Sequence, residues 1–94
     1  MDNNAIAQRF AEIVRPVTDE YGFSLIETEY VNESGNYYLR AYIDKPEGIT
    51  IDDCVLVSRR VSKILDKEDY IKEAYTMEIC SRGFMDESDA KGET

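Results

Sequence analysis

Asp52 and Asp53 stand side by side two residues after Thr50. Adjacent carboxylates are raw material for a magnesium site, because Mg2+ is usually held by one or two of them. They also suit the start of a helix, where they complement the positive end of its dipole. The Thr50-to-Asp53 spacing has the form of a capping box with Asp in place of the usual Glu, and it favours the second role. Ser58, Ser62 and Ser81 carry hydroxyls, and Cys54 and Cys80 carry thiols, but the chain has no histidine. That removes the usual base for a serine or cysteine nucleophile and the commonest metal ligand. An Asp–Lys combination remains in principle, yet no spacing points to it. The chain reads as a non-enzyme with no catalytic, metal-binding or cofactor-binding residues, no cofactor and no small-molecule substrate.

Two further groups can bind rather than react. Glu27 and Glu29 alternate along one stretch, Arg40, Tyr42 and Asp44 along another, and Glu78 lies on a third. Brought together, they would offer carboxylates and a tyrosine to a basic partner, with charge steering the encounter and tyrosine supplying contact area. The plain alternative is a solvated face on which Arg40 satisfies a cross-strand glutamate. Arg59, Arg60, Lys63 and Lys67, with nearby Lys72, form the second group. Arg59, Arg60 and Lys63 are candidate RNA-facing residues through phosphate contacts. The plain alternative is again strong, since cations toward a helix C-terminus are ordinary and Asp66, Glu68 and Asp69 are close by.

The elements that must position these residues are legible from periodicity. Ile6, Phe10, Ile13, Val14, Val17 and Tyr21 recur at helical spacing and predict a helix over about Asn4–Tyr21. Asn3 or Asn4 is the expected cap, Pro16 threatens a kink or an early end near Arg15, and Gly22 is the expected stop. Phe23–Val31 alternates as a strand, with Ile26, Thr28 and Tyr30 assigned to one side and Glu27 and Glu29 to the other. Asn32–Asn36 is rich in turn formers. Tyr37–Asp44 follows as a second strand, with Leu39, Ala41 and Ile43 opposite Tyr38, Arg40 and Tyr42, so the two make an antiparallel hairpin. A second helix is predicted over about Asp52–Asp66, with Cys54, Val57, Val61, Ile64 and Leu65 as its apolar stripe. A third strand, Tyr75–Cys80, turns Tyr75, Met77 and Ile79 inward and Thr76, Glu78 and Cys80 outward. The expected fold is α+β: a two-layer α-β-β-α-β sandwich, its three-stranded sheet carrying both helices on one face.

Composition limits the partners. Twenty acids against eleven bases give a formal charge of −9, which disfavours nonspecific nucleic-acid binding and favours basic proteins. Residues 86–94 contribute Asp86, Glu87, Asp89 and Glu93 against Lys91, so −6 stays with residues 1–85. The expected organisation is one domain over 1–85 and an acidic tail over 86–94, disordered from residue 87. No apolar run suggests a secretion signal or a membrane span, so a cytoplasmic setting with reduced cysteines is expected.

Four segments lie in a telling order: Leu39-Arg40-Ala41-Tyr42-Ile43-Asp44, Gly48-Ile49-Thr50-Ile51-Asp52-Asp53-Cys54, Ser58-Arg59-Arg60-Val61-Ser62 and Tyr75-Thr76-Met77-Glu78-Ile79-Cys80-Ser81. In order and spacing they resemble the N-terminal domain of the RimP family of ribosome maturation factors, and the likeness covers most of residues 5–84. It implies a bacterial, cytoplasmic factor that assists assembly of the small ribosomal subunit by binding without catalysis. The implied partners are the small-subunit precursor and a basic ribosomal protein, with ribosomal RNA nearby and no membrane. Family members also carry a C-terminal β-barrel-like domain, which is not expected in these 94 residues. The family's Ser-Pro-Gly segment reads Ser81-Arg82-Gly83 here, and Phe84-Met85-Asp86-Glu87-Ser88-Asp89 stands where a basic continuation is usual. Two other classes fit the same elements. One is a protein-interaction or dimerisation domain without a ribosomal role. The other is a KH-like RNA-binding module, weakened because all five glycines are isolated and no Gly-x-x-Gly loop exists.

Overall fold

The structure, a computed structural model, describes residues 2–81. Its elements are α1 (Asn3–Tyr21), β1 (Ser24–Glu33), β2 (Asn36–Asp44), α2 (Ile51–Glu68) and β3 (Tyr75–Ser81). The expected α-β-β-α-β order and the α+β fold are therefore present. The sheet order is β1-β2-β3, with β2 central. β1 runs antiparallel to β2, whereas β3 runs parallel to it. A parallel neighbour cannot be reached by a tight turn, and α2 supplies the crossover. The tail expected over residues 86–94 lies outside the described residues.

Each helix is built around one apolar stripe. Ile6, Phe10, Ile13, Val14 and Val17 of α1 are buried, as are Val57, Val61 and Leu65 of α2. They meet Tyr30, Leu39, Ala41 and Ile43 from a single sheet face. A side chain of this kind contributes about 1.5–3 kcal/mol when fully buried. Two hydroxyls in this layer donate to carbonyls of α1: Thr28 to that of Ala7 at 2.7 Å, and Tyr70 to that of Ile6 at 3.0 Å. The Tyr30 hydroxyl donates to Glu73 at 3.3 Å, and its ring stacks on Tyr37 at 5.0 Å.

The helix ends follow local chemistry, with some corrections. Asp2 caps α1, its carboxylate accepting from the Ala5 N–H at 2.8 Å, one residue before the expected Asn3 or Asn4. The helix continues through Pro16 to Tyr21 instead of ending near Arg15. Pro16 is exposed, so the carbonyl left without its donor lies on the solvent side. Gly22 stops the helix in the left-handed region at φ 76°. The Gly22 N–H donates to the Asp19 carbonyl and the Phe23 N–H to the Thr18 carbonyl, the two bonds of a Schellman motif. The capping box at α2 is complete: Thr50 accepts from the Asp53 N–H at 3.1 Å, and Asp53 accepts from the Thr50 N–H at 3.0 Å.

The hairpin holds the principal departure from simple alternation. Leu25 pairs with Ile43 and Glu27 with Tyr42, leaving Ile26 as the extra residue of a β-bulge. Ile26 does not share the inward face expected for it; it is 37% exposed, and Leu25 packs against the core instead. The bulge resets the two-residue phase. Leu25 before it, and Thr28 and Tyr30 after it, can then all face the helices, while Glu27 and Glu29 face away. At the far end Ser34 (φ 55°) and Gly35 (φ 86°) are both left-handed. A two-residue turn with both φ positive is type I′, which matches strand twist and keeps pairing intact as far as Glu33 and Asn36.

Candidate functional site

The sheet face turned away from the helices is organised in rows across the three strands. Val31, Tyr38 and Thr76 form one row. Glu29, Arg40 and Glu78 form the next, and Glu27, Tyr42 and Cys80 the third. Arg40 stands on the central strand with a carboxylate on each neighbour. Its Nε donates to Glu78 at 2.7 Å and one terminal nitrogen to Glu29 at 3.2 Å. The terminal nitrogens also reach Glu33 at 3.0 and 3.1 Å. The guanidinium lies 4.7 Å from the centre of the Tyr38 ring. The Tyr42 hydroxyl donates to Glu29 at 2.8 Å.

The electrostatics follow from this crowding. Only 18% of the Arg40 side chain is exposed. The Glu33 hydrogen bond, followed by those from Glu78 and Glu29, raises the Arg40 pKa against the opposing effect of burial. The Arg40 guanidinium in turn holds the Glu33 carboxyl below its usual range. Burial, then the bond to Glu29, pushes the Tyr42 hydroxyl up, so it stays a neutral donor. Burial, then Glu78, pushes the Cys80 thiol up to about 11, leaving it an unreactive thiol at neutral pH. Three carboxylates around one guanidinium leave the cluster with an excess of negative charge.

The residues singled out from sequence are only partly brought together. Glu29, Arg40, Tyr42 and Glu78 are in one hydrogen-bonded network. Glu27 is exposed beside it, in the row of Tyr42. Asp44 sits at the strand end, paired with Ser24, and its carboxylate accepts the Lys45 N–H. Glu33 was missed, having been assigned to the turn. It continues the alternation of Glu27 and Glu29, and the type I′ turn keeps it in the strand.

The basic candidates divide. Arg60 binds Glu20 of α1 at 2.8 and 3.1 Å, with its guanidinium 6.0 Å from the Tyr21 ring centre. It is a tie between the helices. Arg59 and Lys63 are exposed on α2, in the layer opposite the carboxylate network. Asp53 binds Lys45 at 2.8 Å in addition to capping α2. The Lys45 bond, then the Thr50 N–H, lowers the Asp53 pKa. Among the described residues, no three His, Cys, Asp or Glu are grouped to hold a metal ion. Among those residues, too, no helix is long and apolar enough to cross a membrane.

Fold and face together define a small α+β domain whose polar chemistry is concentrated on one open sheet surface. A family model for the RimP N-terminal domain matches residues 13–85. The chain belongs to this family, that of the non-catalytic RimP ribosome maturation factors.

Proposed function

We propose that this domain assists assembly of the small ribosomal subunit by non-catalytic binding, in the cytoplasm, to a basic ribosomal protein or to the immature subunit carrying one. Residues 1–85 form the binding unit in this reading. The docking surface is the open sheet face with Glu27, Glu29, Arg40, Tyr42, Asp44 and Glu78, joined by Glu33. The observation that carries it is the Arg40 cluster. Arg40 is already occupied by three carboxylates, so it is not available to an anion. The remaining acceptor capacity of those carboxylates is available to an incoming lysine or arginine. Family membership supplies the ribosomal setting. Arg59 and Lys63 remain the candidates for nearby ribosomal RNA, whereas Arg60 is engaged with Glu20.

Cosedimentation with immature small subunits at low salt is the test, made with this chain and with any longer parent. The expected outcome is binding that the double change Glu27→Lys and Glu29→Lys weakens at least about tenfold, because like charges then meet across the contact. Absence of cosedimentation at low salt would sink the proposal.

A further inference from the structure

β3 is an edge strand. One side pairs with β2, and over Tyr75–Cys80 no described residue pairs with the other. Strand N–H and C=O groups on that side are a template for another chain. α2 runs alongside, and a crevice separates the two. Toward Ser81 the crevice is a mainly apolar hollow lined by Ile51, Val55 and Ile79, with Arg59 at its rim. Ile51 is 68% exposed and Val55 42%. Toward Tyr75 it is bordered by Asp66, Asp69 and Glu73, with Lys72 among them. Ser58 borders both hollows, which follow one another beside the strand. The outward residues of the same strand are Thr76, Glu78 and Cys80, of which Glu78 is charged.

We propose that this edge accepts an extended segment of a basic protein as a fourth strand. The inference rests on the reading of the partner as a basic protein and specifies how that partner is held. An added strand gains ladder hydrogen bonds, while its alternate side chains fall on opposite sides of the sheet. On the helix side, an apolar side chain seats against Ile51, Val55 and Ile79. On the open side, a lysine or arginine lies beside Glu78. A further cation suits the acidic end at Asp66, Asp69 and Glu73, and Arg59 disfavours one at the apolar end. The ligand is therefore a segment in which basic and apolar residues alternate. A second copy of this chain fits poorly, because each copy carries −9 and an incoming β3 would bring its own Glu78 toward a like-charged edge.

The probe is a short peptide alternating lysine and valine, titrated into the full chain by amide NMR with hydrogen exchange. The expected result is shifted signals and slowed exchange along Tyr75–Cys80. Val55→Lys, at an exposed helical position, should weaken binding about tenfold or more. Ile51→Ser provides an independent variant, and circular dichroism checks that both fold. Shifts confined to Glu29, Glu33 and Tyr42 would overturn the edge site while leaving the open-face proposal standing. Equal affinity for a peptide with glutamate in place of lysine would overturn the charge selection. Slow exchange along β3 in the free chain, together with a dimer in sedimentation equilibrium, would overturn it in favour of a second copy. Peptide binding at β3 without cosedimentation with small subunits would support the edge site and remove only the ribosomal reading.

Discussion

Arg40 decides the character of the open face. A lone arginine on a central strand reads as a cation offered to solvent or phosphate; here three glutamates from two flanking strands surround it. Removing it leaves those carboxylates facing one another. Arg40→Ala is expected to lower stability by about 1–2 kcal/mol, discounted because the glutamates are partly exposed. Urea titration at neutral pH checks this. Tyr30 makes a prediction at the other end of the pH scale. Burial, then the charge of Glu73, pushes its hydroxyl up to about 12 from an ordinary 10.0. Between those values the unfolded chain has released the proton and the folded chain still holds it, so rising pH favours unfolding. On this account stability should fall as pH rises from 10.0 toward 12, and Tyr30→Phe should make that decline shallower, with Tyr70 and Cys80, also pushed up by burial, supplying part of the rest.

At the scale of elements, most of the architecture is legible in periodicity. The helical stripes, the inward Leu39, Ala41 and Ile43, the outward Tyr38, Arg40 and Tyr42, and the Thr50–Asp53 box all rest on contacts within a few residues. The box provides a direct check: Thr50→Ala removes one of its two bonds and should cost about 1 kcal/mol, read from the thermal or urea transition. What alternation conceals is a change of phase. Nothing in Phe23–Val31 marks Ile26 as the extra residue, because its apolar side chain suits either side of a strand. Its exposure is decided by the Leu25–Ile43 pairing across the sheet. Glu33 was within reach, because continuing the alternation past Val31 would have placed it with Glu29. The Arg60–Glu20 tie was not, since the partners are 40 residues apart and meet only when α1 packs on α2.

Charge is unevenly shared over the whole molecule. Carboxylates gather on the open sheet face around Arg40, while α2 is mixed, with Asp52, Asp53, Asp66 and Glu68 beside Arg59, Arg60, Lys63 and Lys67. Overall composition conceals this division, because a charge of −9 says nothing about which face bears it. The order β1-β2-β3 also leaves two sheet ends, and they are unequal. The bulge at Ile26 bends β1 and interrupts its ladder, while β3 carries no such break in its register. Bulged edges are poor templates for an added chain. Stoichiometry follows. A sheet with two serviceable ends can be extended without limit, copy upon copy, into a fibre. With one serviceable end per copy, two copies that met edge to edge would leave no further end, so copies cannot propagate along the sheet.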